Sequence, residues 1–111
     1  MNVMLIDGYQ AVIAFSPELD MFRGEFVSLN GGADFFAKDV EGLQREGKIS
    51  LDIFLTTCRR NGISPHKKFS GNFSLRLDAV THEAAAIAAA AQGLSLNHWA
   101  ASNIKQAVGI P

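Results

Sequence analysis

Polar and apolar side chains alternate strictly over residues 72–77, which is typical of a β-strand with two different faces. The polar members are Asn72, Ser74 and Arg76. The apolar members are Phe73, Leu75 and Leu77. Asn and Arg are the side chains that read adenine and guanine edges bidentately, and a two-stranded ribbon fits the DNA major groove. The pattern therefore predicts a strand whose polar face reads bases.

Two helices are predicted after this strand. Asp78 is a candidate N-cap for the first, which runs through the alanine-rich stretch 84–91 and ends at Gly93. Ser95 is a candidate N-cap for the second, which Gly109 ends. The elements that position the polar strand are therefore two short helices in the last forty-odd residues.

Phosphate contacts are expected at two places. Free backbone amides at the start of the second helix, at Ser95 and Asn97, could hold a phosphate. Lys67 and Lys68 precede the strand and could add charge contacts. Residues 69–111 carry two basic and two acidic side chains, so the net charge of this region is zero and adds no attraction for phosphates.

A lone strand followed by two helices predicts a dimer. Its backbone donors and acceptors lack a partner within the module, and a core of this size is too small to be stable alone. Antiparallel pairing with a second copy solves both problems. The sequence does not decide between a dimer and a larger assembly such as a tetramer. The predicted dimer core consists of Phe73, Leu75, Leu77, Ile87, Leu96, Trp99 and Ile104.

The N-terminal half is predicted to be an α+β unit, an antiparallel β-meander with one helix packed on it. Asp39 is a candidate N-cap for the helix, which Asn61-Gly62 ends, and Gly42 and Gly47 weaken its middle by about 1 kcal/mol each relative to Ala. The strands are predicted at 8–15, 21–29 and 33–37, the last as a candidate edge for recruiting a partner. The domains are predicted at 1–62 and 71–111, with a linker at 63–70.

Composition limits the function classes. The net charge of −1 means that any nucleic-acid binding depends on local features. Cys58 is the single cysteine, and the three histidines lack zinc-site spacing, so neither a metal nor another cofactor is expected. No apolar run is long enough to span a membrane, and no signal peptide is evident, which predicts a cytoplasmic protein.

The acidic residues do not indicate an enzyme. A two-metal nuclease needs clustered carboxylates, and no paired motif occurs among Asp7, Glu25, Asp34, Asp39 and Asp52. We therefore expect no catalysis. A nuclease is the weakest of the alternatives.

Two C-terminal motifs carry a family resemblance. The segment 69–77, FSGNFSLRL, is similar to the "FSGxFxLR" motif of HicB-type antitoxins, and 93–99, GLSLNHW, matches their "GxSLNxW" motif. Softer similarities occur at 8–11, 22–26 and 54–65. The tail also resembles ribbon-helix-helix modules of the Arc/MetJ type.

The resemblance implies a partial RNase-H-like N-terminal domain that binds and masks a HicA-type mRNA-cleaving toxin. It also implies a C-terminal ribbon-helix-helix domain that represses the shared operon by binding operator DNA, as the antitoxin of a type II toxin-antitoxin pair. By position, Asn72, Ser74 and Arg76 would read bases, while Ser95 and Asn97 would hold phosphate. The alternative is an orphan interaction protein whose tail only oligomerises, which the uncharged tail favours.

Overall fold

The structure, a computed structural model, describes residues 2–111. The chain divides into two compact units: the sheet unit, up to Ser70, and the tail unit, Gly71–Pro111. The sheet unit contains four strands and one long helix, and the tail unit contains two helices. This confirms the α+β class. No helix among residues 2–111 is long and apolar enough to cross a membrane.

The sheet is antiparallel, with the strand order β1-β2-β3-β4. The strands are β1 (Val3–Ile6), β2 (Tyr9–Ser16), β3 (Met21–Phe26) and β4 (Asp34–Ala37). The expectation of three strands is wrong, because β1 precedes them. The two-residue turn Asp7-Gly8 joins β1 to β2, and its φ values of 47° and 85° are typical of a type I′ hairpin turn.

Helix α1 (Val40–Asn61) packs on one face of the sheet. As predicted, Asp39 caps it, because its Oδ1 accepts a 2.6 Å hydrogen bond from the Gly42 amide, and Gly62 ends it in the left-handed conformation. The hydrophobic core lies between the helix and the sheet. It contains Ile6, Ala11, Phe26, Leu29, Phe35, Ala37, Leu43 and Leu51.

Two glycines allow the helix and the sheet to close around the ring of Phe35. A Cβ on Gly24 in β3 would overlap this ring, at 2.7 Å from Cε1. A Cβ on Gly47 in α1 would lie 3.0 Å from Cζ of the same ring. Gly47 therefore has a packing role that offsets its weak helix propensity.

The segment after α1 lies against the sheet unit as an extra extended piece. Leu29 forms an isolated antiparallel bridge with His66, and the Lys67 amide donates to the Ser28 carbonyl at 3.0 Å. The His66 ring stacks on Tyr9 at 4.9 Å between centroids. Strand β3 ends at Phe26, not at residue 29 as expected. The Val27 amide still donates to the Gln10 carbonyl at 3.3 Å, but Leu29 pairs with His66 and not with β2.

The tail unit consists of α2 (Ala79–Ala91) and α3 (Leu96–Ala107). The helices pack on each other, and the buried residues of α2 are Ala85 and Ala89. Between them, Gly93 has a φ of 70°, and the Leu94 amide donates to the Ala89 carbonyl at 3.0 Å. These small side chains permit close contact but bury little apolar surface.

Candidate nucleic-acid and dimer interface

The segment that leads into α2 is not part of any β-sheet. Residues 72–78 have no strand assignment, so the strand predicted over 72–77 is not formed in the single chain. The physical reason is that the tail unit contains no second strand to complete a hydrogen-bonded ladder. Whether the segment becomes a strand depends on a partner.

The apolar residues of this segment are poorly covered. Phe73 is 74% exposed and Leu75 is 60% exposed. Both line a cavity of about 380 Å³ in the tail unit, together with Leu77, Leu96 and Trp99. Five of the seven predicted dimer-core residues therefore surround one concavity that the single chain does not fill.

The other two predicted core residues lie elsewhere in the tail unit. Ile87 is 62% exposed. It lies about 200° around α2 from Ala85, so it points away from the face that packs on α3. Ile104 lines a second cavity, of about 480 Å³.

Three of the predicted DNA-contacting residues lie around this second cavity. Asn72 and Ser74 line it from the extended segment, and Asn97 lines it from the first turn of α3. Arg76 does not line it and is exposed, with no hydrogen bond or ion pair to any described residue. The tail thus brings the polar amides together and leaves one guanidinium open to solvent.

Both tail helices begin with the predicted caps. Asp78 Oδ1 accepts from the Thr81 amide at 2.8 Å, and Oδ2 accepts from the Thr81 hydroxyl at 3.0 Å. The amide bond chiefly, and then the hydroxyl bond, hold the pKa of Asp78 below its ordinary value. Ser95 Oγ accepts from the His98 amide at 3.1 Å. Its hydroxyl is therefore engaged within the helix, and a phosphate there would meet the amides of the first turn.

Lys67 and Lys68 belong to the sheet unit and not to the tail unit. The ammonium of Lys67 lies 5.5 Å from the centroid of the Phe69 ring, a cation–π distance. Lys68 is exposed. The Lys67 backbone is fixed on the sheet unit, because its amide donates to the Ser28 carbonyl.

The carboxylates of the sheet unit include one close pair. Glu25 and Asp34 belong to no paired sequence motif, but the sheet makes them cross-strand partners. The guanidinium of Arg23 lies between them, 2.7 Å from Glu25 and 3.2 Å from Asp34. No group of three or more His, Cys, Asp or Glu side chains within the described range could hold a metal ion.

Comparison with known proteins gives one family. The sequence model of the HicB family matches residues 54–104, which run from the second half of α1 to Ile104 in α3. This match covers less than half of the chain and supports a HicB-type, antitoxin-like classification. No curated protein and no solved structure matches the chain significantly.

Proposed function

We propose that this protein is a HicB-type antitoxin that neutralises a HicA-type mRNA-cleaving toxin and represses its own operon. In this proposal two tails pair as a ribbon-helix-helix dimer on operator DNA, while the sheet unit, as a partial RNase-H-like domain, masks the toxin. The protein itself is not an enzyme. The observation that carries the proposal is the HicB family match, because residues 54–104 include the whole polar and apolar pattern of the tail.

Dimerisation is supported by the incomplete core. Burying an exposed apolar side chain of the size of Phe73 or Leu75 is worth about 1.5–3 kcal/mol. In a two-fold dimer, Phe73 and Leu75 of both chains would be buried, and residues 72–77 of each chain would pair with the same residues of the other. The resulting ribbon would display Asn72, Ser74 and Arg76 from each copy.

Base reading by Arg76 is supported by its exposure and by its lack of an ion pair within residues 2–111. Because residues 69–111 have no net charge, few phosphates can be neutralised. The affinity for DNA should therefore fall only slightly as the salt concentration rises. Discrimination between operator and unrelated DNA should depend on base contacts.

A gel shift on the DNA upstream of the protein's own gene tests this half of the proposal. Arg76→Ala should weaken specific binding by about 1–3 kcal/mol, roughly 5- to 150-fold. Lys105→Ala is the matched control, because it removes the only other basic side chain of the tail, from the last turn of α3. If both variants shift the DNA as the wild type does, Arg76 does not read a base. If no form shifts this DNA, the repressor function is wrong.

The toxin-binding half is supported by the resemblance and by the independent fold of the sheet unit. The test is the product of the adjacent gene, expected to be a basic protein of roughly 60–80 residues. When mixed with the full chain, it should form a complex and lose its RNA-cleaving activity. Cleavage that continues at excess antitoxin would contradict neutralisation.

A second candidate function is oligomerisation without DNA binding, which the neutral tail favours. It predicts a dimer that fails to distinguish operator from unrelated DNA. It also predicts that no small basic gene lies beside this one. The gel shift and the gene neighbourhood therefore separate the two proposals.

A further inference from the structure

The first strand of the sheet has an open edge. In the ladder with β2, the Ile13 amide donates to the Asn2 carbonyl at 2.8 Å, and Val3 is paired opposite Val12. Antiparallel ladders alternate between bonded and non-bonded pairs, so the amides and carbonyls of Val3 and Leu5 point away from β2. Neither residue has any other hydrogen-bond partner within the described chain.

The opposite edge is partly closed. The outward carbonyl of Asp34 in β4 accepts a 3.0 Å hydrogen bond from the Ser50 hydroxyl of α1. Helix α1 also packs against β4. Both β1 and the strand at 33–37 are therefore edges, as was predicted for the latter, and β1 is the more open of the two.

The β1 edge lacks the devices that usually block edge pairing. Val3, Met4, Leu5 and Ile6 include no charge, no proline and no bulge. The outward side chains are exposed, Val3 at 45% and Leu5 at 62%. A cleft of about 460 Å³, lined by Val3, Met4 and Phe15 among others, lies beside this edge.

We infer that β1 pairs antiparallel with β1 of a second copy, with the two-fold axis at Met4. In this register Val3 faces the partner's Leu5, Leu5 faces the partner's Val3, and Met4 faces the partner's Met4. All outward amides and carbonyls of both edges are then used, in four backbone hydrogen bonds. The two four-stranded sheets become one eight-stranded sheet.

The charge distribution fits a second copy. The charged group Arg23, Glu25 and Asp34 lies on β3 and β4, at least two strands or about 10 Å from the edge, near the Debye length. Asp7, at the end of β1, is 3.8 Å from the ammonium of Lys48. A two-fold contact at β1 therefore brings no unpaired like charges together.

The pairing is independent of operator binding, although the two can reinforce each other. Four hydrogen bonds alone make a weak contact, and a tail dimer would raise the local concentration of the second edge to the millimolar range. Failure of the gel shift would leave the β1 contact in place. Failure of the β1 contact would leave the tail dimer in place.

Disulfide cross-linking of the full chain tests the register. Met4→Cys places two thiols on the two-fold axis, within the Cα separation that a disulfide requires, whereas Leu5→Cys places them further apart. We expect Met4→Cys to cross-link at least about fivefold faster than Leu5→Cys under mild oxidation. Random collision predicts the reverse order, because Leu5 is the more exposed. Equal rates, the reverse order or no cross-linking would overturn the inference.

Amide exchange in the wild-type chain is the second measurement, since it needs no substitution. The Val3 and Leu5 amides should exchange about tenfold or more slowly at high than at low protein concentration, because pairing covers them. Fast exchange at every concentration would overturn the inference. Protection that arises only after the adjacent gene's product is added would also overturn it and would assign the edge to that partner.

Discussion

Replacement of Gly24 by Ala should destabilise the sheet unit by about 1–3 kcal/mol. Gly24 is paired with Phe35 across β3 and β4, and the added Cβ would lie 2.7 Å from Cε1 of the ring. Carbon atoms pack at about 3.5–4.0 Å, and Cζ and Cε2 of the ring would lie even closer to the added Cβ than Cε1, so the ring must move by more than about 1 Å. It has little room, because Phe35 is buried, with Phe26 at 5.3 Å between ring centroids and Gly47 of α1 beside it.

The single tyrosine and the single tryptophan report on different units, because Tyr9 is in β2 and Trp99 is in α3. The thermal transition of Gly24→Ala followed by Tyr9 should fall by about 5–20 °C, at roughly 4–8 °C per kcal/mol for a small domain. Trp99 provides the reference signal from the tail.

Gly32→Ala is the matched control for Gly24→Ala. Its Cβ would meet no atom within 4 Å, and its backbone is outside the left-handed region. The double variant Gly24→Ala/Phe35→Leu should be less destabilised than the sum of its two single variants, because the smaller side chain makes room. Equal midpoints for Gly24→Ala and Gly32→Ala would refute the close approach of β3 to Phe35.

The other predictions concern the tail and the segment that precedes it. Leu75→Glu should give a monomer of 12.0 kDa by light scattering at low protein concentration, where the weak β1 contact is not populated, because Leu75 is exposed in the single chain and would be buried by the tail partner. Val80→Glu, at an even more exposed apolar site outside the predicted core, should keep the tail dimer. The hydrogen bond from the Thr81 amide lowers the pKa of Asp78 below its ordinary value of 3.8. The contribution of Asp78 to the stability of the tail is therefore complete above pH 3.8 and is lost as the pH falls through the lowered pKa. Asp78→Asn should remove this acid dependence from thermal melts of the tail. His66→Ala removes the stacking on Tyr9, worth about 0.5–1.5 kcal/mol, so the Lys67 amide should exchange about 2- to 12-fold faster; unchanged exchange would show that the stacking does not hold the segment.

Local signals in the sequence predicted the helix starts correctly. Asp39, Asp78 and Ser95 each cap a helix through a bond to an amide three residues on, so the whole interaction lies within four residues. The first hairpin had an equally local signal, because Asp-Gly between apolar residues is typical of a two-residue turn. An expectation that starts the first strand at Gly8 overlooks this turn, and β1 with it.

Features that depend on distant contacts were not predictable in the same way. By propensity alone Gly47 only weakens α1, and its contact with Phe35 depends on how the helix lies on the sheet. The polar alternation at Asn72 and Ser74 predicted a strand, but a strand needs a neighbour, and the tail unit contains no second strand. The three-dimensional grouping of these residues with Asn97 required the position of α3.

The central claim, that the tail binds operator DNA as a dimer, is tested most directly by titrating the DNA upstream of the gene with wild-type protein and with Leu75→Glu. The mass of the shifted complex should correspond to two chains, or a multiple of two, per site. We predict that the wild type forms this complex and that the monomeric Leu75→Glu loses it at the same concentrations. A shift by Leu75→Glu equal to that of the wild type, or a complex with one chain per site, would contradict the account.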